Sequence, residues 1–249
     1  MEENFGFVIP VYRHGAALKG VLAELEKYGF PIIAVDDGND EENQRLIKEA
    51  VDSCKNAVLV VREKNGGKGA AVSTGVFKAY EMGLTHVFQL DSDGQHDTSK
   101  IPRFLELSRE NPDSVICGCP EYDENAPKSR VRGREFANMW IHIVTLSHSI
   151  KDAMVGFRIY PVDPFVKTLK RTLYINKRMG FDIEILVRLF WANVPIISEP
   201  VKISYPTDGI SNFRLFWDNA GISETYTRLY LGMIPRLPII IYHSLTRKK

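Results

Sequence analysis

The chain has 249 residues, 44% of them hydrophobic, with 32 Lys and Arg against 31 Asp and Glu and a formal net charge of +1. That length can bury a substantial core in one domain, and the balanced charge offers no bulk field to gather nucleic acid, so any phosphate binding must be local. Cys54, Cys117 and Cys119 form neither a paired framework nor a zinc pattern, Met-Glu-Glu-Asn lacks a signal peptide's basic start, and no run reaches the roughly 18 apolar residues of a membrane span, so the expectation is a cytoplasmic protein.

Residues 5–10, Phe-Gly-Phe-Val-Ile-Pro, read as a first buried strand, closed by Pro10 because proline cannot donate to a ladder. Leu18, Val21, Leu22, Leu25 and Tyr28 then recur at helical spacing until Gly29. Residues 31–35 are a second apolar strand, ending in Asp36-Asp37-Gly38. A helix over 41–54, with Leu46, Ile47, Ala50 and Val51 inward, leads to a third strand at 57–61. Asn65-Gly66-Gly67-Lys68-Gly69-Ala70-Ala71 then opens a helix carrying Val72, Val76, Phe77 and Tyr80 on one side. Glycine-rich turns before helices offer backbone N–H groups and a positive dipole end to phosphates, although this spacing matches neither a P-loop nor a dinucleotide fingerprint. Tight turning between strand and helix would explain the same glycines.

Residues 85–90 form a fourth buried strand that runs into Asp91-Ser92-Asp93-Gly94-Gln95, two carboxylates one residue apart where the chain leaves the sheet. Strand–helix alternation to this point predicts an α/β fold with a doubly wound, mostly parallel, Rossmann-like sheet and helices on both faces. Ligands bind outside the carboxyl ends of such strands, and an acidic pair there can hold Mg²⁺ or Mn²⁺ against a substrate's phosphates. An Asx-type turn would use the same residues. What favours a cation is convergence: Asp36-Asp37 and Asp91-Asp93 end parallel strands at one edge, where like charges repel.

Residues 101–109 read as a helix and 114–119 as a strand, along which Cys117 and Cys119 alternate as small core residues. Residues 121–134 read as a polar loop holding Lys128, Arg130, Arg132 and Arg134, solvated surface by default but also a source of counter-charge for a diphosphate leaving group. A long helix is expected over 136–150, then a turn and strand across 151–160. Residues 181–191 form a helix with Phe181, Ile185, Leu186, Leu189 and Phe190 on its apolar face, and Asp182 and Glu184 off that stripe in what reads as a solvated first turn. Residues 194–204, with Pro195 and Pro200 at the margins, suit an edge strand. From Ser211 the chain becomes rich in aromatics and closes on Arg247-Lys248-Lys249. This divides the chain into a domain over 1–210 and an amphipathic helical segment over 211–249, suited to a membrane interface, the core, or a second copy of the chain in an oligomer.

Together these motifs resemble the family 2 glycosyltransferases of GT-A fold, and within them the dolichol-phosphate mannosyltransferase-like branch. The resemblance spans about residues 5–213. It rests on Val8-Ile9-Pro10-Val11-Tyr12, Val35-Asp36-Asp37-Gly38, Asn65 with Gly67-Lys68-Gly69-Ala70, and Gln89-Leu90-Asp91-Ser92-Asp93-Gly94-Gln95. Downstream it rests on Arg132 with Asn138, Asp152 with Gly156-Phe157-Arg158, Glu184-Ile185-Leu186, and Gly209 with Ser211-Asn212-Phe213. It implies an inverting, metal-dependent transfer from a UDP- or GDP-linked sugar. By similarity, Pro10, Tyr12, Asp36, Asp37 and Lys68 would hold the nucleotide sugar, Asp91 the ribose and metal, and Asp93 and Gln95 the metal. Arg130, Arg132 and Arg158 would hold donor or acceptor phosphate.

Two departures from the family bear on the acceptor. The Glu-Asp pair and Gln-x-x-Arg-Trp motif of processive members are missing, with Phe181-Asp182-Ile183-Glu184 standing near the former, so a polymer synthase is disfavoured. The C-terminal membrane helices of many polyprenyl-phosphate members are missing too, so the acceptor would be soluble, or a lipid or lipid phosphate met by a protein peripheral on the inner face of the cell membrane. A hydroxyl acceptor needs a positioned base, whereas a phosphate monoester arrives ionised. Asp93, Arg158, Asp182 and Glu184 are therefore the candidate catalytic set, the last two shaping the acceptor side. The alternatives are a sugar-phosphate nucleotidyltransferase, whose fingerprint is replaced here by Tyr12-Arg13-His14-Gly15, and a non-catalytic nucleotide-sugar-binding scaffold.

Overall fold

The strands are β1 (Phe5–Val11), β2 (Ile32–Asp36), β3 (Ala57–Val61), β4 (His86–Gln89), β5 (Val115–Glu121), β6 (Arg158–Pro161) and β7 (Ile196–Lys202). In the computed structural model, which describes residues 3–121, 128–202 and 215–246, they form one seven-stranded sheet in the order β3-β2-β1-β4-β6-β5-β7. Only β6 runs against its neighbours, antiparallel to both β4 and β5. The helices are α1 (Gly15–Glu26), α2 (Glu41–Asp52), α3 (Lys68–Glu81), α4 (Ile101–Glu110) and α5 (Lys128–Thr145). They continue as α6 (Val162–Arg171), α7 (Phe181–Trp191), α8 (Leu215–Met233) and α9 (Leu237–Thr246).

Why the strands read as unbroken apolar runs is visible in the two cores. Phe7, Ile9, Ile32, Ala34, Phe88, Ile116 and Ile159 face α1, α2 and α4, while the alternate residues Val8, Ile33, Val35, Val87, Val115 and Tyr160 face α3 and α5 to α9. A sheet covered on both sides needs apolar residues at every position, so the period of two disappears from the sequence. Local signals set the helix ends: Asp40 accepts the Asn43 N–H at 2.8 Å and Glu41 and Glu42 fill the first turn of α2.

Several expectations are corrected. The supposed loop over 121–134 becomes helix from Lys128, and that helix stops at Thr145, not 150, where Leu146 turns into the left-handed region at φ 49°. Residues 122–127 lie outside the described residues, as do 203–214, which include Gly209, Ser211, Asn212 and Phe213. Tyr80 is 47% exposed rather than inward. Helix α6 was not anticipated, although Val162, Phe165 and Val166 give it a buried stripe. The largest correction is α7, which matches its expected bounds but is buried on every side except at Arg188, with Asp182 and Glu184 inside.

The cover is the C-terminal segment. Ile222, Tyr226, Leu229 and Met233 of α8 and Ile240 of α9 join the core that includes α5 and α7, so α8 docks on the core, one of the three expected placements. Its polar fastening is Glu184, 0% exposed, whose Oε1 accepts from Arg188 Nε at 2.8 Å and Nη2 at 2.6 Å. Its Oε2 accepts from the Asn176 N–H at 2.8 Å and from Arg228 of α8. The Arg228 guanidinium also lies 4.5 Å from the Tyr174 ring centroid. Removing one partner of a buried ion pair leaves charge uncompensated. Arg228→Met should therefore lower stability by about 2 kcal/mol, or about 4–8 °C in melting temperature, because Arg188 still serves Glu184. Calorimetry of the variant checks this.

Candidate active site

Strand order reverses around β1: the chain passes from β1 to β2 and β3 on one side and to β4 on the other. Such a switch opens a crevice at the carboxyl ends of the strands. Pro10 lies near the end of β1 and Tyr12 just past it; Arg13 follows at φ 62° with its guanidinium 5.1 Å from the Tyr12 ring centroid. Asp36 closes β2, and its Oδ1 accepts from the Asn39 N–H at 3.0 Å and Nδ2 at 2.7 Å, while Asn39 Nδ2 also reaches Val11 O at 2.9 Å. Asp36 thus ties the ends of β1 and β2 together.

Asp37 builds the glycine turn. It accepts from the N–H groups of Gly66 at 3.0 Å and Gly67 at 2.8 Å and from Asn65 Nδ2 at 3.0 Å, and Arg62 Nε stands 2.8 Å from its Oδ1. The backbone donors expected to meet a substrate phosphate are therefore filled by a protein carboxylate, and the charge on Asp37 is balanced by Arg62. Arg62 was missed by the sequence reading, although it is the first charged residue after β3, one place beyond the register pair of Asp36 and Val61. Gly67, at φ 93°, gives way to Lys68, the first residue of α3.

Lys68 is where the site comes together. Its Nζ lies 2.7 Å from Asp91 Oδ1, at the end of β4, and 3.0 Å from Asp182 Oδ2, in the first turn of α7. His96 Nε2 lies 3.2 Å from Asp91 Oδ2, and Gln89 Nε2 donates to Asp182 Oδ1 at 3.0 Å. The two acidic strand ends thus carry separate protein cations, Arg62 and Lys68, so their repulsion alone does not require a metal. Burial works against the Lys68 charge, but Asp182 and Asp91 outweigh it and hold its pKa above the ordinary value. Burial would raise the Asp91 pKa, yet Lys68 and His96 hold it well below the usual carboxylate range. Asp91 therefore adds stability that is complete above an ordinary carboxylate pKa of about 4 and is lost as the pH falls. Lys68 adds stability that is complete below about 10.4 and is lost as the pH rises, so the pair stays intact across the neutral range.

Asp93 accepts the Gln95 N–H at 3.0 Å, the Asx turn that the sequence allowed, and it and Gln95 are half-buried beside Asp91. Asp152 accepts from the N–H groups of Met154 and Val155 at 2.8 and 2.9 Å, with Arg134 Nε 2.6 Å from its other oxygen. The side chains of Arg130 and Arg132 lie outside the described residues. Arg158 is 0% exposed, with its guanidinium packed under α7 rather than open to the crevice. Its Nη1 donates to Asp182 O at 2.7 Å and to Tyr160 Oη at 3.0 Å, because β6 points it beneath α7. Glu184 faces away from the crevice, into the contact with α8.

For a divalent cation the donor chemistry fits. Asp91 and Asp93 offer hard carboxylate oxygens, the Asp91 side chain being 29% exposed. Among the described residues no three His, Cys, Asp or Glu side chains assemble into a cage. Mg²⁺ is commonly held by only one or two carboxylates plus substrate phosphates.

The model of glycosyl transferase family 2 matches residues 7–177, more than half of the chain. The chain belongs to that family. This sets aside the nucleotidyltransferase and scaffold alternatives. Among its relatives is a UDP-N-acetylglucosamine–dolichyl-phosphate N-acetylglucosaminyltransferase of Methanococcus voltae, 25% identical over 61% of this chain and 67% of that protein. Another is an undecaprenyl-phosphate 4-deoxy-4-formamido-L-arabinose transferase of Edwardsiella ictaluri, 28% identical over 84% of this chain and 62% of the relative's length. The GT-A fold is shared with glucosyl-3-phosphoglycerate synthase from Mycobacterium tuberculosis, solved with Mn²⁺, UDP-glucose and glycerol 3-phosphate, at a TM-score of 0.66 and 14% identity over 93% of this chain and 80% of that one.

Gly156 roofs the Lys68–Asp91 pair: a Cβ there would come within 2.5 Å of Lys68 Nζ and 3.0 Å of Asp91 Oδ2. Gly156→Ala should therefore push both groups from their places and weaken nucleoside diphosphate binding by on the order of tenfold, because charged contacts lose their geometry. The lysine end is flexible, so the melting temperature should fall by only a few degrees. Titration calorimetry and thermal unfolding check the two halves.

Proposed function

We propose that this family 2 glycosyltransferase moves a sugar from a UDP- or GDP-linked donor onto a lipid phosphate by an inverting displacement that depends on Mg²⁺ or Mn²⁺. The observation that carries the reading is Asp91: its carboxylate meets the crevice at the β1–β4 switch while Asp182 and Gln89 behind it are sealed in the core. Pro10 and Tyr12 would border the nucleotide on the β1 side. Asp91, Asp93 and Gln95 would hold the cation, which when bound supplies Lewis-acid stabilisation of the departing diphosphate. Lys68 keeps Asp91 ionised and aimed.

The acceptor oxygen attacks the anomeric carbon as the bond to the diphosphate breaks, which inverts that carbon. An acceptor phosphate, with a second pKa near ~6, needs no base at neutral pH. That agrees with how four buried carboxylates are held. Asp37 is engaged by Arg62 and the glycine turn, Asp152 by Arg134 and two N–H groups, Asp182 by Lys68 and Gln89, and Glu184 by two arginines. None of these four stands ready to accept a proton from a hydroxyl. The relatives' names, both of lipid-phosphate transferases, support the same acceptor class.

The outer side of α8 and α9 exposes Trp217, Tyr230, Leu231, Ile234, Ile239 and Tyr242. Among the described residues no helix is long and apolar enough to cross a membrane. Contact at headgroup level, on the inner face of the cell membrane, would bring the enzyme to its acceptor.

With a nucleotide sugar and Mg²⁺, the protein should glycosylate a polyprenyl phosphate and not the matching polyprenol. EDTA should abolish transfer, and Asp93→Ala should lower it by on the order of 10²-fold or more. Equal transfer to the polyprenol, or full activity in EDTA, would contradict the proposal.

A further inference from the structure

The Lys68 ammonium faces two carboxylates that reach it from different elements, Asp91 at 2.7 Å and Asp182 at 3.0 Å. Both Asp91 oxygens are already met by nitrogen, Oδ1 by Lys68 and Oδ2 by His96 at 3.2 Å. A divalent ion needs an Asp91 oxygen at about 2.0–2.1 Å, and there it would stand against the like charge of the ammonium. The lysine has one prepared retreat. Asp182 is held for it by Gln89, which donates to the far oxygen, and by Arg158, which donates to its backbone carbonyl at 2.7 Å. Gly156 closes the space on another side, and the lysine stem is fixed at the first turn of α3.

We propose that Lys68 is a resident cation that occupies Asp91 until the divalent ion enters, and that Asp182 is the positioning residue onto which the ammonium withdraws. This inference rests on the metal dependence proposed above. Before the ion arrives, one ammonium partly neutralises two carboxylates and keeps Asp91 charged and oriented. When the ion takes Asp91, Asp182 keeps the displaced ammonium paired rather than buried alone, which would be costly. Asp182 thereby acts on metal entry through Lys68, a role unlike the acceptor-side one expected from sequence.

The roles predict opposite signs for two charge-removing variants. In Lys68→Met the competitor is gone, and Mn²⁺ binding without nucleotide, read from the loss of the free-ion paramagnetic resonance signal, should tighten by on the order of tenfold. In Asp182→Asn the lysine has only Asp91, and binding should weaken by a similar factor. In the double variant the Asp182→Asn effect should vanish, leaving the affinity of Lys68→Met alone. A mere change of local field would give independent, multiplying factors, so an Asp182→Asn effect of equal size in both backgrounds would overturn the proposal. Should Asp182→Asn not fold, Gln89→Met, which loosens the hold on Asp182, should weaken Mn²⁺ binding in the parent and leave it unchanged with Lys68→Met; equal effects would again overturn it. Unchanged Mn²⁺ affinity in Lys68→Met, with the parent binding the ion, would overturn this inference alone. Absence of Mn²⁺ binding in every variant, with UDP or GDP present as well, would remove the metal reading and this one with it.

Discussion

Lys68 shares one ammonium between Asp91 and Asp182, and the arrangement around that contact explains much of the molecule. It requires a lysine at the first residue of a helix, which the glycine turn supplies. It requires a carboxylate where β4 leaves the sheet and a second one brought from α7, nearly a hundred residues further on. It requires a glycine at position 156, where a side chain would displace both partners. Each element therefore delivers one group to a point at the crevice floor, and the sheet fixes their relative positions through its register.

The outer helices are tied to the crevice as well. Residues 172–180 run between α6 and α7, and on one side Lys177 O accepts the Ala70 N–H at 3.2 Å, beside the glycine turn. On the other side Asn176 Nδ2 donates to Thr225 Oγ1 of α8 at 2.9 Å, and its backbone N–H donates to Glu184. A chain of hydrogen bonds thus joins the helix carrying Lys68 to the helix with exposed apolar residues. Burying Asp182 and Glu184 is tolerable because each meets at least one cation and one further donor, the condition under which buried charge is stable.

How much of this was legible in the sequence depends on the distance over which each signal acts. Strands β1, β2 and β4 and the acidic turn after β4 are readable because burial on both faces writes an unbroken apolar run, and Asp-Ser-Asp-Gly ends it sharply. Helix α7 was placed correctly but taken as half-solvated, since nothing within it announces that α8, starting 24 residues after it ends, will cover its polar side. Arg158 is expected at a phosphate through the family resemblance alone; β6 runs antiparallel to β4 and β5, and its guanidinium lies under α7. Asp37 is placed at the nucleotide by the same resemblance, and nothing near it in sequence announces Arg62, which follows β3 and holds it. Local patterns fixed elements and the edge where the site lies, while the partner of each charge was set by contacts between elements far apart in sequence.

The central claim is that the donor diphosphate binds at the β1–β4 switch over the Lys68–Asp91–Asp182 contact. A crystal structure with Mn²⁺ and the nucleoside diphosphate that binds tightest tests it most directly. The account predicts the diphosphate in that crevice, the cation on Asp91 and Asp93, and the Lys68 ammonium moved off Asp91 while still paired with Asp182. A nucleotide bound elsewhere, or a Lys68 still bridging both carboxylates with the cation on other residues, would contradict it.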